Sequence, residues 1–387
     1  MSKFYKLEEM GTIGRGKSKH RPRNDEKLFG GKYPFVQTGD VKKANFFLTD
    51  FEETYNDIGL AQSKLWDEGT LCITIAANIA ETAVLGIKAC FPDSIIGFTP
   101  HKGKSDVKYI KYCLETYKLQ MQALSLGATQ DNLSLEKIRS LNFKMADFEE
   151  QKRIANVLFN YDQLIENNNK RISILEQMAE QLYKEWFVRM RFPGYEDVKF
   201  VKGVPEGWKI IDFKDFITLK RGYDLPNEKM THGEYPVVAS TSVKGFHSEY
   251  KVEPPVIVTG RSGTLGKVQY LEKQSWPLNT TLYVKEFNQN SPKYIYYTLK
   301  NLELANFNSG AGVPTLNRNH LNAIKICLPS DKMQVLFESK VETIFKKINI
   351  IQGMNENLNN TKNLILPRLI SGQLSVKSVY NSNLQEV

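Results

Sequence analysis

Residues Gly11-Thr12-Ile13-Gly14-Arg15-Gly16-Lys17-Ser18 fit the GxxxxGK[ST] pattern. In that pattern, backbone amides between a buried strand and a helix N-terminus cradle nucleotide phosphates. The chemistry would be nucleotide hydrolysis, with Lys17 on the phosphates. The flanks argue against it. Lys6-Leu7-Glu8-Glu9-Met10 is too polar for a buried parallel strand, and Pro22 stands five residues after Lys17, where a helix should be starting. A hydrolase using residues 11–18 is kept as the alternative of a different class. The same segment reads better as a DNA-backbone loop. Arg15, Lys17, Lys19, Arg21 and Arg23 place five cations within nine residues, spaced by Gly and Ser. That density suits phosphate neutralisation, although a solvated charged loop has the same composition.

Other catalytic constellations are missing. The five histidines (His20, His101, His232, His247, His320) form no HExxH or HxH pair and have no neighbouring Cys. No GxSxG elbow occurs. Glu253-Pro254-Pro255-Val256 lacks the amide and the aromatic ring of a DNA-methyltransferase motif, and Asp57 and Glu81 are too isolated for a metal nuclease. We therefore expect no catalytic residues, no metal and no cofactor. The four cysteines (Cys72, Cys90, Cys113, Cys327) include no CxxC pair and read as buried thiols of a reducing cytosol. The charged start Met1 to Met10 does not read as a signal peptide, and no run approaches the roughly 20 apolar residues of a membrane span. A cytoplasmic location with no membrane partner is expected. The formal net charge of +9 suits a polyanionic partner, of which nucleic acid is the commonest.

The elements that must position these residues occur twice. Tyr33-Pro34-Phe35-Val36 returns as Tyr235-Pro236-Val237-Val238, and Lys108-Tyr109-Ile110 as Lys293-Tyr294-Ile295. Gly127-Ala128 with Leu133 returns as Gly310-Ala311 with Leu316, after which Ile138 aligns with Leu321 and Gln151 with Gln334. Each copy begins with short β-rich runs bounded by Gly, Asp and Pro, such as residues 70–75 and 256–259. A helix follows Lys108 or Lys293, then a short strand, then one long helix, about 148–189 and 331–370. The chain thus divides into a mixed region over 1–147, a first long helix and linker over 148–194, a second mixed region over 195–329, a second long helix over 330–372 and a tail over 373–387.

Both long helices carry heptad seams. In the first, Leu158, Tyr161, Ile165, Asn168, Ile172, Leu175, Ala179, Leu182 and Trp186 alternate spacings of three and four. In the second, Val341, Ile344, Ile348, Ile351, Asn355, Leu358, Lys362, Ile365 and Leu369 do the same. Such narrow seams want a partner helix. An antiparallel pairing that sets Asn168 across from Asn355 places Leu158 by Ile365, Ala179 by Ile344 and Leu182 by Val341. The remaining polar layer, Tyr161 with Lys362, would share the rim. Pro367 should fray the second helix near its end.

These residues together resemble a specificity subunit of type I restriction–modification systems, over nearly the whole chain. The markers are "GTIGRGKS…GGKYPFVQTGDV", "GATQDNLSLEKIRSLNF", "EEQKRIANVL" and "LYKEWFV", then "LKRGYDLP", "GEYPVVAS", "GRSGTLGKV", "PTLNRNHLNAIKICLP" and "LPRLISGQL". The chain departs from the family pattern at Met145-Ala146, where a Pro is usual, and at Met333, where a Glu is usual. The resemblance implies an α+β chain with two mixed α/β target recognition domains, each reading one half of a bipartite double-stranded DNA target. Two long antiparallel coiled-coil helices would separate them and dock methyltransferase (modification) subunits. The chain itself would be non-catalytic. Methylation and ATP-dependent cleavage would belong to the partner methyltransferase and restriction (translocase–nuclease) subunits, with S-adenosylmethionine and ATP bound there. A related system with a fused methyltransferase–nuclease partner fits equally at this point. Candidate DNA contacts are Arg15, Lys17, Arg21, Thr38, Asp40, Gln130 and Asn132 in the first domain. In the second they are Arg221, Tyr223, Ser240, Lys244, Arg261, Thr264, Asn317 and Arg318. Asn168 and Asn355 are the candidates for fixing the helix register.

Overall fold

The run Leu71-Cys72-Ile73-Thr74 is apolar on both faces and forms a strand whose four residues are all buried, the signature of a strand covered on either side. In the computed structural model, which describes residues 3–125, 133–310 and 312–376, this strand is central to a five-stranded sheet. The order is Gly11–Arg15, Ile95–Pro100, Leu71–Thr74, Thr82–Leu85, Phe47–Leu48. The first four strands pair antiparallel and the last pair is parallel. A smaller sheet is ordered Glu53–Tyr55, Phe29–Phe35, Ala89–Cys90, Leu65–Trp66. Asp106 caps the helix Val107–Thr116 by accepting from the Tyr109 amide at 3.0 Å, and that helix buries Tyr109, Ile110, Tyr112, Cys113 and Leu114. Gln130 and Asn132 lie outside the described residues, as do Gly127-Ala128 of the repeat.

The chain divides into two compact units, Met1–Lys170 with Ile351–Val387, and Arg171–Ile350. The division runs through both long helices, because each unit keeps the helical lengths that pack on its own core. The second unit repeats the plan of the first. Its main sheet is ordered Thr218–Arg221, Thr281–Glu286, Val256–Gly260, Val268–Leu271, and a smaller one Val243–His247, Tyr235–Val238, Trp276–Pro277. Its helix Pro292–Asn301 has Pro at its start, where a missing amide hydrogen costs nothing.

Hydrogen bonds outside the regular ladders fix the correspondence residue by residue. Gly16 N donates to Ile95 O (2.9 Å) as Gly222 N does to Thr281 O (3.1 Å). Lys17 N donates to Phe91 O (3.1 Å) as Tyr223 N does to Pro277 O (2.8 Å). Leu133 N donates to Ile75 O (3.0 Å) as Leu316 N does to Arg261 O (2.8 Å). The aligned glutamines show why they recur. Gln151 is fully buried, accepts from Asp106 N at 3.1 Å and donates to Ala146 O at 2.9 Å. Gln334 accepts from Ser291 N at 3.0 Å and donates to Asn290 Oδ1 and Pro329 O. Each ties the start of a long helix to the start of the shorter helix before it. Pro329 and Ala146 serve through a carbonyl that either residue supplies, so the missing proline leaves this contact intact.

The first long helix covers Phe148–Tyr183 and continues as a wider π turn over Lys184–Val188, while the second covers Asp331–Ser371. Within the first unit they run antiparallel. Asn168 Nδ2 donates to Asn355 Oδ1 at 2.9 Å, and six residues back along one helix Asp162 meets Lys362 at 2.6 Å. Asn355 Nδ2 also donates to Asn169 Oδ1 at 2.8 Å, a third amide that the heptad pattern does not reveal. Leu158 and Ile365 share the first core, and Ala179, Leu182, Ile344 and Val341 share the second. Lys362 does not stop at the rim beside Tyr161. Its ammonium reaches Asp162, whose other oxygen accepts from Tyr112 Oη at 2.5 Å. Fraying at Pro367 does not occur: the helix passes through it to Ser371, since Leu366, Leu369 and Ile370 are buried in the first core. Packing of that last turn outweighs the one hydrogen bond that proline removes.

Candidate nucleic-acid interface

Arg15 ends the edge strand Gly11–Arg15, so the segment read as a loop begins on a sheet. The glycines there serve packing. A Cβ at Gly14 would meet the Trp66 ring at 2.8 Å, and one at Gly16 would meet Pro92 O and Phe91 O at 2.2 and 2.5 Å. Gly222 has the same problem with Leu278 O and Pro277 O at 2.2 and 2.5 Å. The Gly16 and Lys17 amides are hydrogen-bonded to Ile95 O and Phe91 O, and residues 16–25 form no helix. The phosphate-cradle geometry is therefore absent from 11–18, and Lys17 holds the place that Tyr223 holds in the second unit.

Beyond Gly16 the basic segment is clamped from both sides. Gln62 Oε1 accepts from the Lys19 and His20 amides at 2.6 and 3.0 Å, and Ser63 Oγ donates to Lys17 O at 2.8 Å. Arg23 Nη2 donates to both carboxylate oxygens of Asp93 at 2.7 and 2.9 Å, while the Asp93 backbone carbonyl accepts from Arg15 Nε at 2.5 Å. Arg21 Nη1 donates to Ser18 O and His20 O. His20 meets Asp25 at 2.8 Å, and hydrogen bonds from Lys27 and then His20 hold the Asp25 carboxyl down to about 2. Lys17 and Lys19 remain exposed. Burial, with the Lys17 charge adding to it, pushes the Lys64 ammonium below its usual value. Gln62, Ser63 and Asp93 escaped the sequence reading because they are tens of residues from the cations that they hold.

Thr38 and Asp40 stand apart from that segment, at the start of the helix Thr38–Lys43. Asp40 Oδ2 accepts from Gln37 N at 2.8 Å, a local capping role. Asp40 also lines a groove of about 410 Å³ together with Phe47, Asp50, Phe51 and Glu52. Its carboxylates would repel phosphate.

In the second unit four of the candidate residues come together. Arg221, Arg261, Asn317 and Arg318 line one recess of about 360 Å³, with Leu282, Ser309, Thr315 and Leu316. Arg221 ends the edge strand Thr218–Arg221, Arg261 follows the strand Val256–Gly260, and Arg318 opens a short helix capped by Asn317. The guanidinium groups are held from behind. Arg261 Nε donates to Asn279 O at 3.0 Å and Arg318 Nη1 to Leu219 O at 3.3 Å. Asp224, 3.9 Å from Arg221, already accepts from Asn279 Nδ2. The remaining candidates are dispersed. Tyr223 is half-buried, with its hydroxyl 2.9 Å from that of Tyr283. Lys244 Nζ donates to Asn227 Oδ1 at 2.5 Å, and Thr264 is an exposed turn residue. Ser240 is a correction. It is 8% exposed and its hydroxyl is shared between Ser262 O and Thr280 O, so it braces the turn after Val256–Gly260 instead of facing outward.

The family described as the type I restriction modification DNA specificity domain matches residues 2–177 and 205–360, one match in each half of the chain. The chain belongs to this family. It is similar to the MjaIX type I restriction enzyme specificity subunit of Methanocaldococcus jannaschii, at 23% identity across 97% of this chain and 94% of the relative. It also resembles the HindI specificity subunit of Haemophilus influenzae, at 22% identity across 67% of this chain and 74% of the relative. The crystal structure of the type I restriction–modification S subunit from M. genitalium has the same fold, with a TM-score of 0.57 at 16% identity, covering 95% of this chain and 96% of that one. The specificity domain is present twice in this chain, and the two copies carry their cations differently: a clamped basic segment in the first, an arginine-lined recess in the second. Among the described residues no helix is long and apolar enough to cross a membrane.

Proposed function

We infer that this chain selects the DNA sequence on which a type I restriction–modification assembly acts. Each recognition domain reads one half of a bipartite target, with residues 1–147 and 195–329 as the two readers. The long helices hold the readers and dock the methyltransferase subunits. Methylation and ATP-dependent cleavage belong to partner subunits, in the cytoplasm. The observation that carries this reading is the duplication. Two family matches fall on two units of the same plan, and matching backbone hydrogen bonds frame unlike surface residues at equivalent places. A shared scaffold with different surface chemistry is what two readers of different half-sites require. The test is an exchange of residues 195–329 for the matching region of another specificity subunit, followed by methylome sequencing. One half of the methylated motif should change and the other stay. A change of both halves together would count against two independent readers.

A further inference from the structure

The hydrogen bonds that align the two units also expose a difference between them. Arg221 corresponds to Arg15, since each precedes the glycine bonded to Thr281 O or Ile95 O. Arg261 corresponds to Ile75, since each carbonyl accepts from Leu316 N or Leu133 N. Arg318 corresponds to Leu135, each being the first residue of a short helix capped by Asn317 or Ser134. The second unit therefore has three arginines where the first has one arginine and two aliphatic residues, and Ile75 is buried in the core.

We propose that the recess lined by Arg221, Arg261 and Arg318 seats one phosphodiester of the DNA backbone and anchors the second recognition domain, with no matching seat in the first. This rests on the DNA-reading function inferred above. Three like charges around one recess of about 360 Å³ repel one another unless an anion lies between them, and the nearby carboxylate of Asp224 stands outside the lining, 3.9 Å from Arg221. Among the described residues, those lining it include no carboxylate. Two of the guanidinium groups are oriented by backbone carbonyls, so the N–H groups left over form preset forks of the kind that meet phosphate oxygens. The Ser309 and Thr315 hydroxyls donate to Thr315 O and Val313 O, and the Asn317 oxygen caps its helix through Asn319 N. The donors that remain are the guanidinium groups and the Asn317 amide. An all-donor set fits a ligand that only accepts. A guanine edge also only accepts, but one arginine satisfies it and it is neutral. Duplex bases are moreover met by side chains that project into a groove, whereas a recess receives a group that protrudes.

The experiment uses the full chain assembled with its methyltransferase subunits, and target duplexes in which single phosphates are replaced by neutral methylphosphonate. At one position in the second half-site the replacement should weaken wild-type binding about tenfold or more. The same replacement should have no further effect on the double variant Arg261→Gln with Arg318→Gln. That variant should bind more weakly, with the slope of log K against log salt reduced by about 1, and should methylate an unchanged sequence. The wild-type scan needs no substitution, so it decides the matter even if the variant folds poorly. Equal wild-type affinity for every methylphosphonate duplex would overturn the proposal, as would a variant that methylates a different base pattern, which would make the recess a base reader. A wild-type assembly that fails to bind target DNA would instead overturn the DNA-reading function itself.

Discussion

Lys293 brings an ammonium into the interior of the second unit, where only 3% of its side chain is exposed. Its Nζ lies 2.6 Å from Glu342, 3.5 Å from Glu338 and 3.8 Å from Glu272, over the rings of Tyr270 and Phe345. Burial works against its charge, but the Glu342 hydrogen bond and the neighbouring acids outweigh it and raise its pKa. The two main carboxylates move in opposite directions. Glu338 is pushed up by burial, while Glu342 is pulled down by the hydrogen bond from Lys293. Replacing Lys293 with Met should destabilise the protein by about 1–2 kcal/mol at neutral pH, because it leaves the half-buried Glu338 and Glu342 carboxylates without their cation, a loss that solvent reaching both of them moderates. A carboxyl with a raised folded pKa binds more protons in the native state, so stability recovers as pH falls through that raised value. The deficit of Lys293→Met should therefore shrink as pH is lowered from neutrality into the acid range in urea unfolding. A deficit constant with pH would mean that lost packing, not charge, is responsible.

At the scale of the element, the paired helices of the first unit contain one amide layer. Asn168 is 8% and Asn355 9% exposed, and one polar layer in an apolar seam fixes register at some cost in stability. Asn168→Leu removes the donor to Asn355 Oδ1, while Asn355 Nδ2 keeps its bond to Asn169 Oδ1. The loss should be about 1–2 kcal/mol, that of one buried acceptor left unsatisfied. Replacing Asn168 and Asn355 together by Leu should recover most of it, since Asn169 is exposed and water can take the vacated place. Chemical denaturation of the two variants checks this; a double variant less stable than the single would show that the layer stabilises as well as specifies. The heptad spacing made the two seams and their asparagines legible in the sequence, and the composition of the layers favoured the antiparallel sense that sets Asn168 across from Asn355. Neither showed Asn169 or the Asp162–Tyr112–Lys362 arrangement, because those depend on side chains that flank the seam, and Tyr112 comes from the neighbouring helix Val107–Thr116.

Over the whole molecule, the excess of positive charge matters more than any single contact. DNA binding by the assembled protein should weaken by roughly tenfold or more between about 50 and 200 mM salt, as counterions released from several phosphates oppose association. Fluorescence anisotropy across that range tests it, and a flat response would remove the electrostatic account of the basic segment and of the recess alike. Neither surface is simply a sum of cations. In the segment after Arg15, Arg23 is neutralised by Asp93 and the backbone is clamped by Gln62 and Ser63, so Lys17 and Lys19 are presented on a fixed support.

The sequence by itself determined the duplication, the β-rich start and long helical end of each copy, the seam with its asparagine layer, and flanks at 11–18 that disfavour a phosphate loop. These are local or periodic properties: the helical repeat, the strand alternation and the flanks of a motif are all written within a few residues of one another. Only the tertiary structure decided which scattered cations share a surface. Arg221, Arg261 and Arg318 are each an ordinary turn or strand-end residue in the sequence, tens of residues apart. They meet because the sheet order places the ends of Thr218–Arg221 and Val256–Gly260 around Thr281–Glu286, and because Leu316 N bonds to Arg261 O. The same ordering turned Ser240 inward and gave Gln151 and Gln334 their buried partners. A side chain's direction depends on which strands become neighbours, and that is fixed by long-range pairing that no local spacing encodes.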